Sequence, residues 1–127
     1  MAAVANAIRV NFQVQSINGS YKEAVAPGAL GIAQQAQGRG GGIQTISKTS
    51  ETALSFGGIT VNGWCFLMNL DATHYVVYGP KNVGGTMEPM GKLMPGEFAW
   101  VRIAPSVVLR AKADTADILL DVRIFEN

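Results

Sequence analysis

The chain reads Gly-Trp-Cys-Phe-Leu-Met-Asn-Leu-Asp-Ala-Thr-His-Tyr-Val-Val-Tyr-Gly from Gly63 to Gly79, and this stretch decides the fold. It holds two short apolar runs, residues 64–70 and 75–78, around a polar corner at residues 69–73. Both runs are rich in aromatic and branched side chains, which is typical of two strands joined by a tight connection. The first run is apolar on both faces, so it is predicted to lie in the middle of a sheet, covered on both sides or at an interface.

Before this stretch, the chain shows a second strand signal and an interrupted alanine-rich segment. Residues 8–15 alternate apolar and polar side chains with the period of a half-buried strand, and an Asn-Gly-Ser turn at residues 18–20 ends it. Residues 21–37 are rich in alanine, but the Pro-Gly pair at residues 27–28 argues against a helix. We therefore expect a turn there, followed by a short strand at residues 30–34.

Short strands between turn residues continue to the end of the chain. The glycine-rich residues 38–42 are predicted to be a flexible loop, because no phosphate-binding pattern surrounds them. Strands are predicted at residues 43–47, 52–56, 97–103, 107–112 and 117–125. Eight to ten short strands without a helix indicate an all-β fold, an antiparallel β-sandwich or a barrel.

Length and composition limit the class of protein. The 127 residues fit one domain, which we place at residues 8–127, preceded by a flexible N-terminal arm at residues 1–7. Charged residues make up 15% of the chain, against about 25% in an ordinary globular protein, so part of the surface is expected to be covered by other subunits. The net charge of +1 argues against a nucleic-acid binder, and no apolar run reaches the length of a membrane span. We expect synthesis in a cytoplasm.

The sequence offers few groups for chemistry. Cys65 is the single cysteine and lies in the most apolar stretch, so we expect a buried, inert thiol that is dispensable for function. His74 is the single histidine and has no partners at metal-ligand spacing. No motif frames a nucleophile or a calcium loop. We therefore expect no catalytic residue, no metal and no cofactor.

The aromatic residues allow two interpretations. Trp64, Trp100, Tyr75 and Tyr78 could line a platform for sugar rings, or they could fill a core or an oligomer contact, which we prefer. A row of rings exposed on one sheet face would favour sugar binding. We expect seven side chains to be mostly buried: Trp64, Phe66, Val76, Phe98, Val101, Val122 and Ile124. On that basis Phe66→Ala would cost about 3–5 kcal/mol.

A set of short motifs runs through the chain and is densest over residues 63–113. It consists of the alternating first strand, Asn18-Gly19, Ala26-Pro27-Gly28, Gly63-Trp64, Phe66-Leu67, Asn69-Leu70-Asp71-Ala72-Thr73, Tyr75-Val76, Gly79, Lys92-Leu93, Pro95-Gly96-Glu97-Phe98-Ala99, Arg102, Ala104-Pro105 and Ala111-Lys112-Ala113. With these motifs, most of the chain resembles small virion structural proteins of tailed bacteriophages. This resemblance implies a non-enzymatic virion component, within which a capsid cement or decoration protein with a jelly-roll-like sandwich fits best. The implied partners are the major capsid protein and further copies of the chain, as a homo-oligomer and preferably a trimer, at the surface of the virion.

Two alternatives stay open, namely another virion part (a tail, connector or fibre-attachment protein) and a carbohydrate-binding β-sandwich module. For the capsid role, we expect the arm at residues 1–7 and one of the glycine-rich loops at residues 37–42 and 79–86 to make the main contacts. The candidate contact residues are Arg39, Lys81, Met87 and Met90. The two methionines are included because flexible thioethers adapt to contact surfaces.

Overall fold

The computed structural model describes residues 4–34 and 38–126, and this part of the chain is all-β. The chain divides into two compact units, Met1–Ala36 and Gln37–Asn127. The ten strands are β1 (Val4–Asn18), β2 (Tyr21–Gln34), β3 (Arg39–Ile46), β4 (Thr52–Ala53), β5 (Asn62–Asn69), β6 (Val76–Pro80), β7 (Gly91–Leu93), β8 (Phe98–Arg102), β9 (Leu109–Ala113) and β10 (Ile118–Glu126).

The first unit is a long antiparallel hairpin of β1 and β2. Gly19 turns the chain between the strands with φ 61°, as the Asn-Gly pair predicts. The predicted break at Pro27 and Gly28 is wrong, because β2 runs through both residues. The register instead shifts between the Phe12 and Val14 pairs, where β2 holds one residue more than β1, and Gly28 has φ 86°. This is a β-bulge, which accommodates both a proline and a positive φ.

This hairpin changes the domain boundaries that we expected. Strand β1 begins at Val4, so residues 4–7 belong to a strand rather than to a flexible arm. Residues 1–3 lie outside the described part of the chain. The hairpin also forms a unit of its own, whereas the sequence suggested one domain from residue 8 to residue 127.

The second unit is an antiparallel β-sandwich of two four-stranded sheets. One sheet, called here the first sheet, has the order β3-β10-β5-β8, and the second sheet has the order β4-β9-β6-β7. Their inner faces share one core, to which β10 contributes Ile118, Leu120, Val122 and Ile124, each 2% exposed or less. The predicted alternation of β10 is therefore confirmed. Burial of alternate residues from both sheets is what holds a sandwich together.

The stretch around Gly63 lies at the centre of the first sheet, as predicted. Strand β5 pairs with β10 on one side and with β8 on the other. The next strand, β6, belongs to the second sheet and pairs with β7 and β9. The connection at residues 70–75, which contains most of the polar corner, therefore crosses from one sheet to the other and does not close a hairpin.

The glycine-rich run after residue 37 is not a flexible loop. Arg39–Ile46 form β3, and residues 39–46 pair with β10 along its length. A Cβ atom on Gly40 would lie 1.7 Å from the carbonyl oxygen of Phe56. Gly41 has φ 97°, in the left-handed region that favours glycine. These glycines allow close backbone approach at the edge of the sheet.

We expect Gly40→Ala to destabilise the sandwich by about 2 kcal/mol or more, since backbone must move to admit the methyl group. Gly58→Ala is the matched control, because a Cβ there meets nothing within 4 Å and no positive φ is required. Urea denaturation of both variants measures the difference. Equal stabilities would mean that the contact with Phe56 relaxes at no cost.

Candidate interaction surfaces

The outer face of the first sheet carries a row of aromatic rings. Five side chains point away from the core on β5, β8 and β10, and together they define the aromatic face: Trp64, Phe66, Phe98, Trp100 and Phe125. The alternate residues of β5, Cys65 and Leu67, are fully buried on the inner face. A strand that is apolar on both faces thus has one face in the core and one outside it.

The rings of the aromatic face contact one another across the strands, two pairs stacked and one pair tilted. Trp64 and Trp100 lie 5.1 Å apart with an interplanar angle of 8°, and Phe66 and Phe98 lie 6.0 Å apart. Phe125 extends the row toward β10, with its ring 5.9 Å from that of Trp100. Such cross-strand ring pairs stabilise a sheet beyond the area they bury.

Two arginines lie over these rings. The guanidinium of Arg102 is 5.7 Å from the Trp64 ring, and that of Arg123 is 6.0 Å from the Phe66 ring. Arg123 also forms an ion pair with Asp121 at 3.1 Å, and the hydrogen bond to that carboxylate raises the pKa of Arg123. The aromatic face therefore combines rings with positive charge.

The expected core residues divide between the two faces. Val76, Val122 and Ile124 are fully buried, and Val101 packs against the core as a half-buried residue. Trp64 and Phe66 are half-buried but lie on the aromatic face. The prediction that Phe98 is buried is wrong, because its side chain is 58% exposed on the edge strand β8. Tyr78 is in the core and Tyr75 is half-buried beneath the ammonium group of Lys92.

The hairpin presents a second apolar surface, called here the hairpin face. Ile8, Val10, Phe12 and Val14 of β1 share this face with their partners Ile32, Leu30 and Val25 of β2. Phe12, Val14, Val25 and Leu30 are each between 45% and 49% exposed. A two-stranded hairpin is only marginally stable in water without a covered apolar face. The sequence identified the strand at residues 8–15, but it did not show that the strand lies outside the sandwich.

The candidate contact residues do not form one site. Arg39 is exposed on the edge strand β3 of the first sheet. Lys81 and Met87 form a bridge to each other beyond β6 of the second sheet, and Lys81 is exposed. Met90 is 55% exposed and lines an apolar groove of about 230 Å³ with Val101 and other residues. Three of the four candidates therefore lie near one another in the chain turn that follows β6.

That turn is more ordered than its glycine content suggests. Asn82 and Thr86 close it through a 2.7 Å backbone hydrogen bond and a 2.9 Å side-chain hydrogen bond. The backbone N–H of Met87 donates to both carboxylate oxygens of Glu51, which also accepts a hydrogen bond from Arg110 at 3.1 Å. The glycine content of residues 79–86 predicts a mobile loop, whereas in the structure backbone and side-chain hydrogen bonds close this turn.

The polar corner between β5 and β6 is organised by two side chains. Asn69 is fully buried, and its amide donates to the carbonyl oxygens of His74 and Leu93 and accepts from the backbone N–H of Asp71. The Asp71 carboxylate accepts from the backbone N–H groups of Thr73 and His74, at 3.0 and 2.6 Å. His74 Nδ1 lies 3.0 Å from Asp71 and 2.8 Å from the Thr73 hydroxyl. His74 thus helps to hold the corner.

These hydrogen bonds lower the pKa of Asp71 to about 2, with the backbone bond from Thr73 as the largest cause. The carboxylate stabilises the fold above its ordinary pKa of 3.8, and this stabilisation is lost as the pH falls toward 2. We therefore expect Asp71→Asn to be less stable than the wild type at pH 5 and to approach it at pH 2. Urea denaturation at both pH values measures the gap; a gap that stays constant would contradict this origin.

Cys65 is fully buried, and burial raises the pKa of its thiol to about 12. The thiolate that reacts is therefore scarce at neutral pH. We expect labelling of the native protein by a thiol reagent to be at least 100-fold slower than labelling in urea. Equally fast labelling would show that the core around β5 opens readily.

No group of three or more metal-ligating side chains occurs within residues 4–34 and 38–126. No helix long and apolar enough to cross a membrane occurs in the described part of the chain. Neither a family model, nor a curated protein, nor a solved structure matches the chain.

Proposed function

We propose that the chain is a structural virion protein, a capsid cement or decoration protein that binds the head shell of a bacteriophage and the major capsid protein in it. The hairpin is the observation that carries this proposal. It carries an apolar face on residues 8–14 of β1 and 25–32 of β2, and four of the seven side chains of that face are between 45% and 49% exposed. An exposed apolar face of this length is a contact surface. An assembly part needs such a surface, whereas an enzyme needs a reactive cluster.

The strand order of the sandwich supports the same proposal. Its first strand, β3, lies beside its last strand, β10, and every connection except the one from β6 to β7 crosses between the two sheets. We propose that this eight-stranded sandwich is a jelly roll, which is an architecture of viral capsid domains and also of lectins. The resemblance of residues 63–113 to phage virion proteins favours the first of these two classes.

The proposed binding is a sum of modest contacts. A decoration protein occupies many equivalent positions, so an oligomer that engages two or three of them gains avidity from the lattice without any single strong site. Arg39 and Lys81 are exposed cations that could meet acidic groups on the shell. Their positions on different sheets give two separate points of contact.

Copy number tests the role. In purified virions of the phage that encodes this chain, quantitative gel analysis should give a copy number close to that of the major capsid protein. A few tens of copies would instead favour a tail, connector or fibre-attachment protein, and absence from virions would contradict the proposal. Co-sedimentation with shells lacking the chain should weaken for Arg39→Ala and Lys81→Ala, with Lys48→Ala as a matched control at an exposed lysine.

The aromatic face favours a second candidate, a carbohydrate-binding module, because rings on one sheet face can stack on sugars. The stacking of Trp64 on Trp100 and the position of Arg102 count against it, since part of each ring face is already occupied. Glycan-array binding that is lost in Trp100→Ala and retained in Phe12→Ala would establish this candidate. Absence of glycan binding would remove it.

A further inference from the structure

The outer edge of β1 is a free strand edge. Strand β1 pairs with β2 along one side, and no other described strand pairs with it. The backbone N–H and C=O groups on its other side therefore have no strand partner within the described residues. Such an edge is a template for pairing with another chain unless the sequence protects it.

The two strands of the hairpin differ in protection. Strand β2 contains Pro27, which has no N–H to donate, at a bulge that distorts its edge. Strand β2 also carries the charges of Lys22 and Glu23. Strand β1 has no proline, no glycine and one charged residue, Arg9. A proline and neighbouring charges, which block edge pairing, are therefore found on β2, whereas the irregularity of β1 is confined to the segment between Val4 and Ile8.

We propose that β1 pairs in antiparallel fashion with β1 of a second copy of this chain, giving a four-stranded sheet in the order β2-β1-β1-β2. The pairing edge is residues 8–14 of β1, which lie beyond the register shift between Val4 and Ile8. At the second shift, between the Phe12 and Val14 pairs, the extra residue belongs to β2. An antiparallel pair of identical strands is related by a two-fold axis, so both copies use the same surface. This pairing adds detail to the proposed role in assembly. It depends on that role only in requiring that the protein is an oligomer.

The side chains of β1 favour one register. With Asn11 opposite Asn11 of the second copy, Val10 lies opposite the second copy's Phe12, and Ile8 opposite its Val14. The hairpin faces of the two copies then form one continuous apolar surface, because residues opposite each other share a face. Arg9 lies opposite a neutral Gln13 in this register, so the two arginines do not meet.

A second copy fits this edge better than a strand of another kind. The strands of the sandwich have two to nine residues, whereas β1 and β2 have 15 and 14; because β2 contains Pro27 and a bulge, the remaining partner of matching length is β1 itself. The edge is nearly uncharged, so it offers an acidic or basic partner little to recognise. Four strands with a common apolar face are also more stable than two.

A cysteine at the proposed axis tests the pairing. Asn11→Cys should form a disulfide-linked dimer under mild oxidation, because directly opposed residues have Cα atoms about 4.5–5.5 Å apart, within disulfide range. Ala29→Cys is the matched control, since Ala29 is the exposed partner of Asn11 within the hairpin. The two copies of Ala29 would be about 14 Å apart across three strand spacings and should not cross-link. The wild type, whose Cys65 is buried, gives the background.

Two further measurements keep the test decisive. A mixture of Arg9→Cys and Gln13→Cys chains should give a mixed disulfide dimer that neither variant gives alone, which fixes the register. Light scattering of the wild type should give an even number of chains. Fluorescence of Trp64 and Trp100, which both lie in the sandwich, reports that the sandwich of each variant is folded, and the Ala29→Cys control carries its substitution in the same hairpin.

A mass of one or three chains, or equal cross-linking of Ala29→Cys and Asn11→Cys, would overturn the proposal. A mass of three chains would support the trimer expected from the resemblance instead. These experiments use purified protein without virions. A result against the β1–β1 pairing therefore does not contradict shell binding, and a result against shell binding does not contradict the pairing.

Discussion

Replacing Asn69 with alanine is expected to lower the free energy of unfolding of the sandwich by about 3 kcal/mol or more. The Asn69 side chain makes three hydrogen bonds to backbone groups, and its loss leaves these groups without that partner. Each buried polar group that loses its partner costs about 1–3 kcal/mol. The hydrogen bond to Leu93 also joins the first sheet to β7 of the second sheet, and Asn69→Ala removes this connection between the sheets.

Asn62, at the other end of the same strand, provides the matched control. Its side chain is half-buried and donates one hydrogen bond, to the carbonyl oxygen of Val107 at 3.2 Å. We expect Asn62→Ala to cost about 1 kcal/mol. Urea denaturation followed by tryptophan fluorescence compares the two variants. If they are equally stable, the polar corner does not depend on the Asn69 amide.

Leu67→Ala is expected to destabilise the sandwich by about 2–5 kcal/mol, and Phe66→Ala by about 1–2 kcal/mol. The Leu67 side chain is fully buried in the core, so its truncation leaves a cavity between the two sheets. Phe66 lies on the aromatic face and is half-buried, so water can fill the space that its ring leaves. The loss of stability that the sequence predicted for Phe66→Ala is therefore expected for Leu67→Ala instead.

Chemical denaturation of both variants separates the two faces of β5. A Phe66→Ala loss as large as that of Leu67→Ala would mean that another molecule covers the aromatic face under the conditions of the measurement. Repeating the experiment at several protein concentrations distinguishes that case, because stability gained from association rises with concentration.

The sequence predicted the sandwich well where its pattern had one meaning. Strand β10 alternates apolar and polar side chains, and each of its inward residues is buried. Strand β5 is apolar on both faces, so alternation could not say whether Trp64 or Cys65 points inward. Hydrophobicity measures the preference to leave water, and it does not distinguish a core from an outer face covered by stacked rings.

The glycines and the hairpin were harder to predict for a different reason. Position 40 requires a glycine because the carbonyl oxygen of Phe56, 16 positions away, occupies the space of a Cβ atom. Local composition cannot show this contact, so it suggested flexibility where the backbone is tightly packed. The alternation of residues 8–15 predicted a strand. In our proposal another molecule covers the apolar side of this strand, and the sequence of one chain does not show that molecule. The candidate contact residues followed from loop composition, and composition says nothing about which loops tertiary hydrogen bonds fix.

The position of β10 has a consequence for how the protein is made. This strand lies between β3 and β5, yet it is the last of the ten to leave the ribosome. The first sheet is therefore complete only when residues 118–126 have been made; until then β3 has no partner strand and β5 can pair only with β8. Long-range pairing of this kind makes folding slow and leaves apolar strands exposed meanwhile. The free edge of β1 is complete about 100 residues earlier, so chains on one polysome could associate before their sandwiches have formed.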